Sequence, residues 1–172
     1  MLKDSRIKTM VILAIVCIIP LVLFCATGVL PKNLEKDIRK SQKISEEWIV
    51  EGNYTDDMAA FISYPLDQSS HVFSVYLNRS GLSFGYFFRG GGSLWAVEEG
   101  IAEFRFLKNN GVAYISMNAH NVERLEIDNG HDIKVIEIHS NKPFAIVVSN
   151  QDGEVRFYDV NGNVVDYYRE RF

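Results

Sequence analysis

Apolar and polar positions change rhythm three times along this chain. From Met10 to Leu30 no residue carries a charge, and the stretch reads MVILAIVCIIPLVLFCATGVL. At about 1.5 Å per residue, a helical run of 21 residues crosses the roughly 30 Å hydrocarbon core of a bilayer. In lipid every backbone N–H needs an internal partner, and a lone segment supplies that only as a helix. Pro20 in its middle is tolerated there with a kink. The pattern therefore predicts a short basic tail at 1–9 and a single transmembrane helix over 10–30. The rival reading is a cleaved signal peptide, with the basic flank MLKDSRIK, an apolar core from Val11 to Phe24, and small Ala26 and Gly28 at cleavage spacing. The anchor is preferred because the apolar run continues through Val29 and Leu30. A lipoprotein is disfavoured, since bulky Phe24 precedes Cys25.

The second rhythm is helical. In PKNLEKDIRKSQKISEEWIVE, Leu34, Ile38, Trp48 and Ile49 recur at helix spacing, and Pro31 suits a helix start. Glu35 and Arg39 make an i,i+4 ion pair. A helical stalk is expected over 31–57, continuing the membrane helix and closed by Gly52 and Asn53.

From about Ala59 the period falls from 3.6 to 2. Phe73, Val75 and Leu77 share a face, then Phe84, Tyr86 and Phe88, and later Ala102, Phe104 and Phe106. Ala113 to Met117, Leu125 to Ile127, Ile133 to Ile138, Phe144 to Ser149 and Val155 to Val160 read as further strands. Asn161-Gly162 is a two-residue hairpin signal, for which both central residues need positive φ. Turns at about ten-residue intervals predict a mainly β, antiparallel meander over 58–172: a sandwich, a curved sheet or a barrel. Apolar residues on both faces of several strands imply cover on both sides.

Length and charge narrow the class. At 172 residues, 47% hydrophobic and 12% aromatic, the chain makes one folded domain with an appendage, not a disordered segment. A net charge of -4 argues against a nucleic-acid partner. Cys17 and Cys25 both lie in the apolar run, so 31–172 has neither a disulfide framework nor a thiol nucleophile. Lys3, Arg6 and Lys8 favour a cytoplasmic N-terminus, while Lys32, Lys36, Arg39, Lys40 and Lys43 oppose it. Long domains translocate largely regardless of charge. Residues 31–172 are therefore expected outside the cytoplasm, with membrane lipid the partner of 10–30.

Candidate chemistry is sparse. Arg89-Gly90-Gly91-Gly92-Ser93 interrupts the strand pattern and is followed closely by Trp95. Glycines expose backbone N–H groups, Arg89 suits an anion, and Trp95 suits a ring or sugar. The plainer alternative is a hairpin loop with Trp95 in the core. His71, His120, His131 and His139 lack metal-ligand spacing, although His131 and His139 can meet across a hairpin with His120 nearby. Glu98, Glu99, Glu103, Glu123, Glu126 and Asp132 show no local acid and base pairing, and there is no G-x-S-x-G elbow. No metal or cofactor is expected. The sequence points to a non-enzymatic, membrane-anchored domain that binds a protein partner or small ligand, with self-association through the stalk. A secreted or tethered hydrolase built on the carboxylates and histidines is the alternative.

Overall fold

The computed structural model describes residues 16, 27–78, 84–106, 110–149 and 153–171. A single 3-10 turn at Pro31–Asn33 leads into helix α1 (Leu34–Gln42). Strands β1 (Ile49–Tyr54), β2 (Met58–Tyr64), β3 (Val72–Asn78) and β4 (Tyr86–Gly92) form an antiparallel meander. Helix α2 (Trp95–Glu99) follows. The other strands are β5 (Ala102–Arg105), β6 (Gly111–Ser116), β7 (Val122–Asp128), β8 (Ile133–Glu137), β9 (Phe144–Ser149), β10 (Glu154–Asp159), β11 (Val164–Val165) and β12 (Tyr168–Arg171). They build two further sheets, ordered β12-β5-β6-β9 and β11-β10-β7-β8.

Alternation along the strands sets the layers. Ile62 and Val75 of the first sheet pack on Phe104 and Ile115 of the β12-β5-β6-β9 sheet, with the Phe73 and Phe104 rings 4.8 Å apart. The opposite face of that sheet, through Tyr114 and Val148, meets Leu125 and Phe157 of the third. The middle sheet is thus covered on both sides, which is why β6 and β9 carry apolar residues on both faces. Helix α1 lies on the outer face of the first sheet, burying Leu34 and Ile38 against Ala59, Tyr76 and Tyr86. The result is a mainly β sandwich of three sheets with one helix outside.

Several expectations are corrected. Of residues 10–26 only Val16 is described, and among the described residues no helix is long and apolar enough to cross a membrane. The end of the apolar run is extended instead: Thr27 bridges Phe84 and Val29 bridges Tyr86, with N–H to carbonyl bonds at 2.8 Å in both directions between Val29 and Tyr86. Gly28 permits this approach, because a Cβ there would sit 2.7 Å from the Tyr86 carbonyl oxygen.

The stalk is also shorter than the 31–57 expected, and it lies down on the sheet. Lys43 turns left-handed (φ 54), and the Ile44 N–H bonds back to the Arg39 carbonyl. The Arg39 guanidinium holds the reversal by donating to Glu35, to the Ser45 carbonyl at 2.9 Å and to the Trp48 carbonyl at 3.1 Å. Ile49 to Tyr54, including Gly52 and Asn53, is then strand, not helix terminus.

Only the first sheet is a simple meander. The tail leaves the third sheet after Val165 and re-enters the middle one, where β12 runs parallel to β5. The Asn161-Gly162 turn is wider than a two-residue hairpin, and of the two only Gly162 has positive φ. The Asp159 carboxylate organises it by accepting from the Asn161 and Asn163 N–H groups, both at 2.8 Å. The turns expected at 79–81, 108–109 and 150–152 lie outside the described residues.

Candidate functional site

The glycine run is strand and not a loop. Gly90, Gly91 and Gly92 pair with Val75, Ser74 and Phe73 of β3, and a register shift at Val75/Tyr76 leaves Arg89 as the extra residue of a bulge. Gly91 serves packing, since a Cβ there would lie 2.5 Å from the Gln42 side chain at the end of α1. Trp95 is not core. It is 62% exposed and its ring sits 5.5 Å from that of Tyr168 on β12. Arg89 sits in the β4 bulge and Trp95 at the start of α2, and among the described residues no hydrogen bond or ring contact joins them.

The buried ionisable groups hold the fold together. Glu103 is buried on β5 and accepts from the Tyr114 hydroxyl at 3.1 Å and from Arg105 Nε at 3.2 Å, with Arg169 Nε at 3.5 Å. Burial first, and then the Glu103 charge, push the Tyr114 phenol above its ordinary range, so it remains a donor. A glycosidase-type pair needs a second carboxylate facing the first, whereas the bonded partners of Glu103 are two guanidinium groups and a phenol. Arg124 pairs with both Glu123 and Glu126 and stacks 4.4 Å over the Tyr158 ring. No three His, Cys, Asp or Glu converge to hold a metal ion among the described residues.

His71 is buried at the start of β3. Its Nε2 accepts from the Leu94 N–H at 3.2 Å, and the Ser93 hydroxyl donates to its carbonyl at 2.9 Å. These bonds tie the start of β3 to the turn before α2. Burial holds the imidazole below its ordinary value, with the Glu98 charge opposing. The unfolded chain then takes up its proton first as pH falls. The His71 contribution is present above about pH 6.5 and is lost as pH drops below it towards the lowered folded value. Urea melts between pH 8 and pH 5 should show this slope in the wild type, and His71→Gln should flatten it.

A groove opens elsewhere, between the outer edges of the three sheets. Its volume is about 310 Å³, with Glu51 to Asn53 of β1 on one wall, Ile136 to His139 at and just beyond the end of β8 on the other, and Phe144 to Ile146 of β9 as the floor. Comparison with protein-family models, curated proteins and solved structures found no match.

Hydrogen-bond alternation decides which backbone groups face into it. The Val147 N–H donates to Asn53 Oδ1 at 2.6 Å, so on that residue β9 points away from β6. Ala145, two residues earlier in the same antiparallel pairing, points the same way. On β8, the Ile138 N–H donates to the Glu123 carbonyl at 2.8 Å, which turns Glu137 and Val135 outwards. Two strand edges thus present N–H and C=O groups to one groove. Asn53 already stands where a neighbouring strand would, with its side-chain amide imitating a peptide group against Val147. Val135 and Ile133 on the β8 edge are 48% and 58% exposed. No sequence motif announces such a site, because its recognition groups are backbone. The only local signal is Asn53, read from sequence as a helix terminus.

Proposed function

We propose that this protein is a single-pass, membrane-anchored, non-enzymatic β domain that holds an extended segment of a partner protein at the cell envelope. The observation that carries the reading is that the edge of β8, and the edge of β9 at Ala145 beyond the stretch that Asn53 covers, face one groove. A peptide laid there adds a strand by main-chain bonds, and alternate side chains contact the walls. The buried carboxylate and the buried histidine are committed to structural bonds, which favours binding over acid and base catalysis. The address rests on residues 10–26, 17 consecutive uncharged residues immediately before the folded body. As a helix they extend about 25 Å, at the short end of membrane spans.

The address is tested with Asn161→Cys, an exposed turn position in a body that carries no cysteine of its own. With Cys17 and Cys25 replaced by serine, a membrane-impermeant maleimide should label it on intact cells. Labelling only after lysis would refute the orientation. The groove is tested with peptides selected from a displayed library on the detergent-solubilised full chain. Glu137→Pro removes an outward N–H that carries no ladder bond, so the fold should survive while peptide affinity falls about tenfold or more. Ile136→Pro removes an inward N–H and should unfold the edge. A peptide that binds equally well with its alternate amides N-methylated would refute strand addition.

A further inference from the structure

A second groove, of about 470 Å³, lies between the lead-in segment and α1. It is lined by Thr27 to Leu30, Lys36, Asp37, Lys40 and Phe84. Its rim is apolar where the chain enters, with Phe84 67% and Leu30 48% exposed, and basic on the helix side. Lys32, Lys36 and Lys40 are spaced four apart, so they form one stripe along the helical stretch, and all three are exposed.

Of the acidic residues between them, Glu35 is neutralised by Arg39, and Asp37, which lines the groove, is hydrogen-bonded to a neutral phenol. Glu35 accepts from Arg39 Nε at 3.0 Å and Nη2 at 2.7 Å, and Asp37 accepts from the Tyr76 hydroxyl at 2.9 Å. Among the described residues none of the three lysines makes an ion pair. A segment with five basic and five acidic residues, neutral as a sequence over 31–51, therefore presents a net positive charge on this face, three lysines against the single carboxylate of Asp37. Thr27, at one end of the groove, directly follows the uncharged run 10–26.

We infer that this groove seats the phosphodiester headgroup of an anionic phospholipid, with Lys36 and Lys40 on the phosphate and Leu30 and Phe84 towards the glycerol and acyl region. The inference rests on the membrane-anchor reading. If 10–26 lies in the bilayer, chain continuity puts the groove at headgroup depth, since one residue spans at most about 3.6 Å. Lysine stems lie along apolar surface while their ammonium groups reach the charged layer. Attraction of basic residues to an anionic leaflet favours an anionic headgroup over a zwitterionic one. Seated there, the lipid would fix α1 and the first sheet against the membrane surface and leave the β8–β9 groove, on another face, open to a partner.

The test uses the full chain in detergent micelles, read by native mass spectrometry with added phosphatidylglycerol, phosphatidylcholine or inorganic phosphate. One phosphatidylglycerol should be retained per chain, with phosphatidylcholine retained about tenfold less and millimolar phosphate failing to compete. The double variant Lys36→Glu, Lys40→Glu should lose about tenfold or more of that retention, and Lys134→Glu, a charge reversal on β8, should keep it. Equal retention of both lipids, displacement by inorganic phosphate, or an unchanged double variant would each overturn the inference. Alkaline washing of membranes separates the two readings. A chain that washes off refutes the anchor, whereas one that stays but retains no phosphatidylglycerol refutes only the headgroup seat.

Discussion

Phe157→Ala is expected to destabilise the protein by about 3–5 kcal/mol, the largest effect of any single side-chain truncation proposed here. Phe157 is completely buried between the middle and third sheets. Its ring lies 5.1 Å from Tyr114, 5.9 Å from Phe144 and 6.3 Å from Tyr167, so it joins β10 to β6, to β9 and to the β11–β12 crossing. Truncation removes the transfer energy of the ring and leaves a cavity that three aromatic rings, each anchored elsewhere, cannot close. Edge and stacking contacts add about 0.5–1.5 kcal/mol each beyond area. Phe157→Leu keeps most of the volume and should cost clearly less. Urea denaturation of the two variants checks the ordering, and a loss below about 1 kcal/mol for Phe157→Ala would show that the third sheet is not held by this contact.

Asn118→Ala should cost about 3 kcal/mol, an unusual amount for a polar side chain. Asn118 is buried and left-handed (φ 63), a conformation asparagine tolerates better than alanine. Its Oδ1 accepts from the Val122 N–H at 2.7 Å, and its Nδ2 donates to the carbonyls of Val122, His139 and Ser140, each at 3.1 Å. One amide therefore joins the β6–β7 turn to the β8–β9 turn. Without it, a buried N–H and several carbonyls lose their partner, at about 1–3 kcal/mol for each group left unsatisfied. Asn118→Gly separates the causes, because glycine restores the backbone freedom and none of the bonds. If the glycine variant were as stable as wild type, the backbone and not the amide would be responsible. Hydrogen exchange should also quicken in both variants at 139–143, which begins one end of the partner groove, so the same substitution should weaken peptide binding.

Local patterns carried much of the strand reading. The strand at Phe144–Ser149 has the bounds its apolar run predicts, and the alternation of Phe73, Val75 and Leu77 is the alternation of β3. Leu34 and Ile38 are the two buried residues of α1, as their spacing requires. Misreadings fall where a distant contact outweighs local preference. Trp48 and Ile49 continue a helical period, yet the Arg39 guanidinium captures the Ser45 and Trp48 carbonyls and the chain reverses. Three consecutive glycines look like a loop, yet β3 pairs with them and the end of α1 needs the space above Gly91. The Asn161-Gly162 hairpin signal implies a strand returning beside β10, and only Val164–Val165 does so. Tyr167 instead packs on Tyr114 and Phe157, and β12 is taken up by β5.

The candidate sites were less legible for the same reason. Arg89 and Trp95 are neighbours in sequence, yet Arg89 ends in the β4 bulge and Trp95 at the start of α2, with its ring against Tyr168 of β12. Asn53 and Val147 are 94 residues apart and meet at a shared edge. The lysines of α1 look balanced by Glu35 and Asp37 until Arg39 takes up Glu35, leaving Asp37 alone against them.

Amino-acid order alone determined the β character, the positions of most strands, the buried face of α1 and the uncharged run at 10–30, because each depends on periodicity within a few residues. Only the tertiary structure decided which strands share a sheet, where the helix stops, that Thr27–Leu30 belongs to the folded body, and which strand edges remain open. Those outcomes depend on hydrogen bonds and ring contacts between residues far apart in the chain, and periodicity carries no information about partners at that distance.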